Sequence, residues 1–340
     1  MAGICFATSE VIRVVLVGGQ QQEEPEQLNL FGEGVDMAKL RKRAAALMTG
    51  ARSINTQRAY AHDWADFSLW CEMAGRQPMP AKAETVRLYL SASIGDGKKL
   101  STVERRLAAI VAIHRRENKP VPVDEETRAM VSGARRSMAG PVGKAAVTVK
   151  QLRAMCGKLG RTPIGVRDHA LLLLGFSTGM RRSELSALNC DDLQFLPKGL
   201  RVSIGRSKTD QEGKGRIVGV FEGKNTTTDP VKWVKYWLKV RGREPGPLFV
   251  SFGSGGVNRM ERLGERSIGC IVKDAAEAIG LDPTRYGAHS LRAGLVTAAA
   301  ENHVPEYVIM QTTGHRSVQT LARYVRPASA FSFNPLRAAL

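Results

Sequence analysis

Arg181, Lys208, His289, Arg292, His315 and Tyr324 recur in that order through the second half of the chain, in short motifs whose types suit chemistry at phosphorus. Arg181 lies in Thr178-Gly179-Met180-Arg181-Arg182-Ser183-Glu184-Leu185, and Lys208 in Gly205-Arg206-Ser207-Lys208-Thr209. His289-Ser290-Leu291-Arg292 follows, then Gly314-His315 with Tyr324 nine residues later. Phosphoryl transfer needs a nucleophile, donors for the non-bridging oxygens, and an acid for the departing oxygen. Enzymes that use metal ions for this gather carboxylates around them. Here Asp191 and Asp192 are adjacent, which points them apart on a regular element, and Glu184 falls on a different turn. A reaction without metal or other cofactor is therefore expected, with arginine, lysine and histidine supplying the charge.

The elements that must position these groups are mostly helices. Thr56, Tyr60, Trp64, Phe67 and Trp70 recur at steps of three and four, one apolar stripe on one helix. Further helical patterns cover 83–93, 101–118 and 124–138, the second with Ser101 and Glu104 spaced as a capping box. Arg105, Arg106, Arg115, Arg116, Arg135 and Arg136 come as doublets, in excess of what a solvated surface requires, and predict a DNA-facing side. Gly140, Pro141 and Gly143 have linker composition. Beyond them Thr148 caps a helix running to Gly157, and 166–176 carries the apolar run Leu171 to Leu174 of a buried helix. The period then changes: 200–204 and 216–220 alternate as antiparallel strands around a polar turn. Helices resume at 229–240, 267–279, 289–302, 305–312 and 317–324.

The expected organisation is a flexible leader over 1–50, a helical DNA-binding domain over 51–138, a linker over 139–147, a second domain over 148–326 and a tail over 327–340. With Lys and Arg at 50 against 32 Asp and Glu, the formal charge of +18 favours a polyanionic partner, nucleic acid first, although membrane surfaces and ribosomal neighbours select the same composition. Cys5, Cys71, Cys156, Cys190 and Cys270 are scattered without zinc-site spacing and read as free buried thiols in a reducing cytoplasm. The apolar run from Val11 to Val17 is short and broken by Arg13, so neither a membrane span nor a secretory signal is expected, and Met37 is a candidate internal start.

Taken together, the ordered motifs resemble the catalytic domain of the tyrosine recombinase, or phage integrase, family. The resemblance spans about Ser53 to Pro327 and is strongest from Val166 onward. It implies a mainly α fold with a small antiparallel β-sheet in the second domain, and a two-domain C-shaped clamp around duplex DNA. Residue by residue, it implies that Arg181 and Arg292 grip the scissile phosphate, as planar guanidinium forks suit paired phosphate oxygens. The family's Thr-Gly-x-Arg-x-x-Glu spacing selects Arg181 over Arg182. Glu184 would orient donors in the site, with a plain helix ion pair as its competitor. Lys208 would protonate the departing 5′ hydroxyl, with Lys214 close by in the same loop as the alternative. His289 would assist proton removal, or else merely cap a helix, and His315 would donate to a phosphate oxygen. Tyr324 would attack phosphorus and hold the cut end as a 3′-phosphotyrosyl ester, so that rejoining needs no nucleotide cofactor.

In this family an apolar tail such as Phe331, Phe333, Leu336 and Leu340 docks on a neighbouring subunit, which implies a homotetramer on two duplexes and a dimer on one site. A tail folded on its own domain is the alternative. A cytoplasmic, nucleoid-associated protein is expected. Two other readings share these residues: a type IB-like topoisomerase acting as a monomer, and a DNA-binding regulator on the same fold without catalysis.

Overall fold

The computed structural model describes residues 36, 38–43, 54–138, 143–205, 215–253, 256, 258–319 and 321–322. The chain divides into two compact units, Met1–His62 and Asp63–Leu340. In the first, residues 38–43 are helical inside the stretch expected to be a flexible leader. The Asp36 carboxylate accepts from the Lys39 N–H at 2.9 Å, an N-cap that this reading overlooked. The rest of that leader, the linker residues 139–142 and the tail lie outside the described residues.

Helix α1 (Ile54–Met73) crosses the division between the units; in the second unit it is followed by α2 (Ala83–Gly95), α3 (Leu100–Arg116) and α4 (Glu125–Ser137). Phe67 and Cys71 from α1 share a core with Val86, Tyr89, Leu90, Val103, Ile110 and Val131. Buried His114 is bound to backbone at both ring nitrogens: Nδ1 lies 2.8 Å from Ile110 O, and Nε2 accepts from Ala81 N–H at 3.0 Å. The Ser101/Glu104 capping box does not form. The helix starts earlier, capped by Lys99 without a side-chain bond, and Glu104 instead accepts from Arg135 Nε at 2.6 Å. One of the arginine doublets is also paired within the bundle. Arg105 bonds Asp63 at 2.8 and 3.0 Å, and Arg106 is buried against Asp66, Ser93 and the Tyr89 ring. An unpaired charge at that depth costs too much to persist.

A separate core follows α5 (Val149–Lys158), whose Thr148 and Gln151 form the capping box. Helix α6 (Pro163–Thr178) starts on the Thr162 cap with proline in its first turn, where no N–H is needed. Its Leu171 to Leu174 run is buried on every side, so α6 is the central element against which the others pack. After α7 (Arg182–Ala187), strands β1 (Leu193–Leu196), β2 (Gly199–Ile204) and β3 (Arg216–Val220) form an antiparallel sheet in that order. The β2–β3 register pairs Leu200 with Val220, Val202 with Val218 and Ile204 with Arg216. Strand β1 and the two-stranded pair β4 (Val250–Phe252) and β5 (Asn258–Arg262) have no strong alternation in the sequence and were not anticipated.

The remaining helices are α8 (Pro230–Arg241), α9 (Glu265–Glu277), α10 (Ala288–Glu301) and α11 (Glu306–Thr313). The segment after the glycine-rich stretch lies along the turn before α10 and its first residues: Ala145 N–H donates to Arg285 O at 2.8 Å and Val147 N–H to Ser290 O at 3.0 Å. Gly294 permits this approach, since a Cβ there would meet Val147 O at 2.1 Å. Residues 318–319 and 321–322 are helical, and Leu321 is buried with Val296 and Ile309. The expected fold class, mainly α with a small antiparallel sheet, holds. Of the thiols, Cys71 and Cys156 are buried but Cys190 is partly exposed and Cys270 exposed, a correction to the buried reading. Among the described residues no helix is long and apolar enough to cross a membrane.

Candidate active site

Helix α6 ends at Gly179, whose left-handed conformation (φ 57°) turns the chain towards α7. A side chain there is excluded twice over, because its Cβ would also lie 2.8 Å from Thr313 Cγ2. The turn delivers Arg181 to the N-cap of α7 and Glu184 to the first turn. Glu184 is buried, and both its oxygens are used. Oε1 accepts from Arg181 Nη1 at 2.7 Å, while Oε2 accepts from Arg181 N–H at 2.9 Å and from Arg216 Nη2 at 2.8 Å.

Helix α11 supplies the opposite wall. Its last carbonyls lack helical partners and carry the negative end of the helix dipole, so they attract cations. Three guanidinium groups take three successive oxygens. Arg216 Nε donates to Thr312 O at 3.1 Å, Arg292 Nη1 to Thr313 O, and Arg181 Nη2 to Gly314 O at 3.1 Å. Arg292 also donates to Gly179 O at 2.7 Å, tying the two turns together, and is 2% exposed. Gly314 caps α11 in the left-handed region (φ 70°), and His315 follows it.

His315 Nδ1 lies 2.7 Å from Thr313 Oγ1, whose own hydrogen goes to Ile309 O at 2.6 Å. Nδ1 must then be the protonated nitrogen, and Nε2 bears a hydrogen only in the cation. Burial, then the charges of Arg292, Arg181, His289 and Arg216, bring His315 down to about 4. Burial, then Arg292 and Arg181, also hold His289 below its usual value. Burial resists ionisation of Glu184, yet hydrogen bonds and charge from Arg216 and Arg181 prevail and bring its carboxyl to about 2. At neutral pH the cluster thus holds three guanidinium cations, one carboxylate and two neutral imidazoles.

This has a consequence for stability. The unfolded chain binds a proton at His315 near its usual 6.5, whereas the folded chain binds it only near 4. The contribution is complete above 6.5 and is lost as pH falls from there towards 4. We expect the melting temperature of His315→Gln to drop less between pH 7 and pH 5 than that of the unsubstituted chain. Equal drops in a differential scanning measurement would show that the imidazole is not held neutral.

Of the residues expected at the site, Arg181, Glu184, His289, Arg292 and His315 come together in the structure. Glu184 makes the helix ion pair with Arg181 and also accepts from Arg216. Lys208 and Tyr324 lie outside the described residues, as do Arg206 and Lys214; their flanks Gly205, Gly215 and Leu321 are described. Arg182 points elsewhere, to Glu265 at 3.1 Å. Arg216 was missed. Its signal was present: Arg216, Val218 and Val220 alternate onto the inward face of β3, and a cation on an inward face needs partners. Among the described residues no group of three or more His, Cys, Asp and Glu side chains is placed to hold a metal ion.

Residues 146–330 match the phage integrase family model. The chain is 32% identical over 305 residues to an integrase/recombinase described as an XerD homolog from Selenomonas ruminantium, covering 88% of this chain and 89% of that protein. It is 25% identical over 282 residues to the recombinase Cre of Escherichia phage P1, covering 76% and 80%. Among solved structures, a lambda integrase dimer bound to a COC′ core site is similar in fold, with a TM-score of 0.59 at 15% identity over 85% of this chain and 94% of that one. The recombinase XerH bound to a palindromic difH substrate gives 0.56 at 20% identity, over 76% and 70%.

Proposed function

The chain belongs to the phage integrase family and is a site-specific tyrosine recombinase, and we propose that it cuts and rejoins duplex DNA through an ester to Tyr324. The observation that supports this most is the convergence of Arg181 and Arg292 on the turn before His315, with both imidazoles neutral in their field. Fixed cationic donors of this kind stabilise a phosphorane-like transition state without reorganising.

In the proposed step the Tyr324 oxygen forms a bond to phosphorus and the bond to the 5′ oxygen breaks. The phenol proton passes to neutral His289, and Lys208 gives a proton to the 5′ oxygen. Rejoining runs the same transfers in reverse, so the phosphodiester energy is conserved. His315 carries a proton on Nε2 only as a cation, so donation to the phosphate requires the incoming negative charge to raise its pKa from about 4. Residues 51–138 would bind the duplex as a core-binding domain and 148–326 carry the chemistry, joined by the 139–147 linker. A dimer on each site and a tetramer on two duplexes, with residues 327–340 exchanged between subunits, complete the proposal.

The test uses a random-sequence duplex library nicked just 3′ of the reactive position, so that the released fragment diffuses away. Protein-linked DNA is recovered under denaturing conditions, sequenced, and its tryptic peptide identified. A single preferred site with a 3′-phosphate on the Tyr324 peptide is expected. Linkage through a 5′-phosphate, or to another residue, would overturn the mechanism.

A further inference from the structure

We infer that Arg216, a residue outside the family motifs, is a positioning residue that shares the Glu184 carboxylate with Arg181 and so keeps the Arg181 guanidinium electrically available to phosphate. The inference rests on the proposed site and deepens it. Glu184 carries one negative charge between two arginines, at 2.7 Å from Arg181 Nη1 and 2.8 Å from Arg216 Nη2. Both partners are largely enclosed, with side chains 24% and 14% exposed, so water does little to screen the arrangement. Were Glu184 paired to Arg181 alone, that pair would be near neutral. Sharing leaves net positive charge where the phosphate is to be held.

Arg216 is also a mechanical link. Its Nε holds Thr312 O at 3.1 Å, and its Nη1 lies where a Gly314 Cβ would come within 3.1 Å. One planar group thereby joins the β2–β3 hairpin, whose connecting loop carries Lys208, to the turn that carries His315 and leads to Tyr324. Lysine cannot reproduce a fork of this geometry. Among the described residues its one ion-pair partner is buried Glu184, which does not fit a surface ion pair.

The decisive comparison is a cycle of Arg216→Met, Glu184→Gln and the pair, measured as the rate of covalent adduct formation on the duplex recovered above and, separately, as duplex affinity. Arg216→Met should slow the adduct by about 10-fold or more, the range for side chains that share a hydrogen-bonded partner, with affinity changed by less than about 2-fold. In the pair, loss of the carboxylate should restore part of the rate, so the double variant is faster than the product of the single effects. Arg216→Lys should fall between Arg216→Met and the unsubstituted chain. Multiplicative losses, or a loss of affinity that accounts for the rate, would overturn the inference. The DNA-free protein gives a reading independent of recombination: in nuclear magnetic resonance titrations His315 should protonate at higher pH in Arg216→Met than in the unsubstituted chain, since a nearby cation is gone. An unmoved titration overturns the inference even if the chain forms no adduct, whereas absence of adduct with a moved titration faults only the recombinase mechanism.

Discussion

Tyr324→Phe is expected to form no covalent adduct while keeping the duplex affinity of the unsubstituted chain. Phenylalanine removes only the oxygen that bonds to phosphorus. Free tyrosine titrates near 10, so the hydroxyl brings no net charge to DNA binding at neutral pH, and binding is governed by the basic surface. Removing a nucleophile outright from a working site costs about 10⁶-fold in rate, which places residual attachment below detection on a denaturing gel. Water could still attack the held phosphate slowly, and would leave a free 3′-phosphate end instead of a protein-linked one. The described tyrosine nearest in sequence is Tyr307, 71% exposed at the start of α11. It lies about 9 Å along the helix axis from the Thr313 turn, so it cannot substitute. Adduct persisting in Tyr324→Phe would require a different nucleophile and would end the mechanism. Affinity falling in parallel would instead mean that the hydroxyl serves packing.

What the sequence reveals and what it hides divides along physical lines. Helices with a continuous apolar stripe or a side-chain cap are legible: α6 follows from the leucine run and α5 from the Thr148 cap, although α6 begins at Pro163, before the apolar pattern does. The β2–β3 pair is legible because Leu200, Val202 and Ile204 alternate with polar residues. Strand β1 is not, for Leu193 to Leu196 is mostly exposed with no buried face, and is held by pairing to β2. Ser101 and Glu104 have the spacing of a cap, but the helix begins one residue before Ser101, and Arg135 offers Glu104 a charged partner from another helix. Spacing along the chain cannot see such a competitor.

The same limit applies at the site. Arg181, Glu184, His289, Arg292 and His315 were identifiable because their motifs are local. Arg216 acts through partners 32 and 96 positions away, Glu184 and Thr312, and no window along the sequence contains them. The protonation states are likewise invisible before folding. His315 is neutral because burial and four neighbouring groups from three different elements act on it together. Arg106 makes the opposite point: a member of a doublet assigned to a DNA-facing side is a core group held by Asp66 and Ser93.

Arg292→Lys separates gripping a phosphate from merely carrying positive charge. Arg292 is buried and bridges Gly179 O and Thr313 O, so its guanidinium joins the end of α6 to the end of α11. Both oxygens accept from the one nitrogen Nη1, and an ammonium on a shorter stem keeps the charge but cannot set a donor there while presenting a second, coplanar nitrogen to a phosphate. Leaving one buried carbonyl without a donor costs about 1–3 kcal/mol, which a thermal melt will register as a lower midpoint. Loss of a fixed donor to the transition state costs about 10²–10³-fold in rate. The control is Arg182→Lys in the same doublet, whose partner Glu265 lies at the surface with 38% of its side chain exposed. Exposed pairs contribute about 0–1 kcal/mol, so that variant should melt and react like the unsubstituted chain. If Arg292→Lys loses rate only in proportion to DNA affinity, as salt-dependent binding would dictate, the residue is part of a basic surface and not of the phosphate grip. If rate falls by orders of magnitude with affinity nearly intact, the energy of that guanidinium is spent on the transition state, where a bridge fixed by two backbone oxygens can direct it.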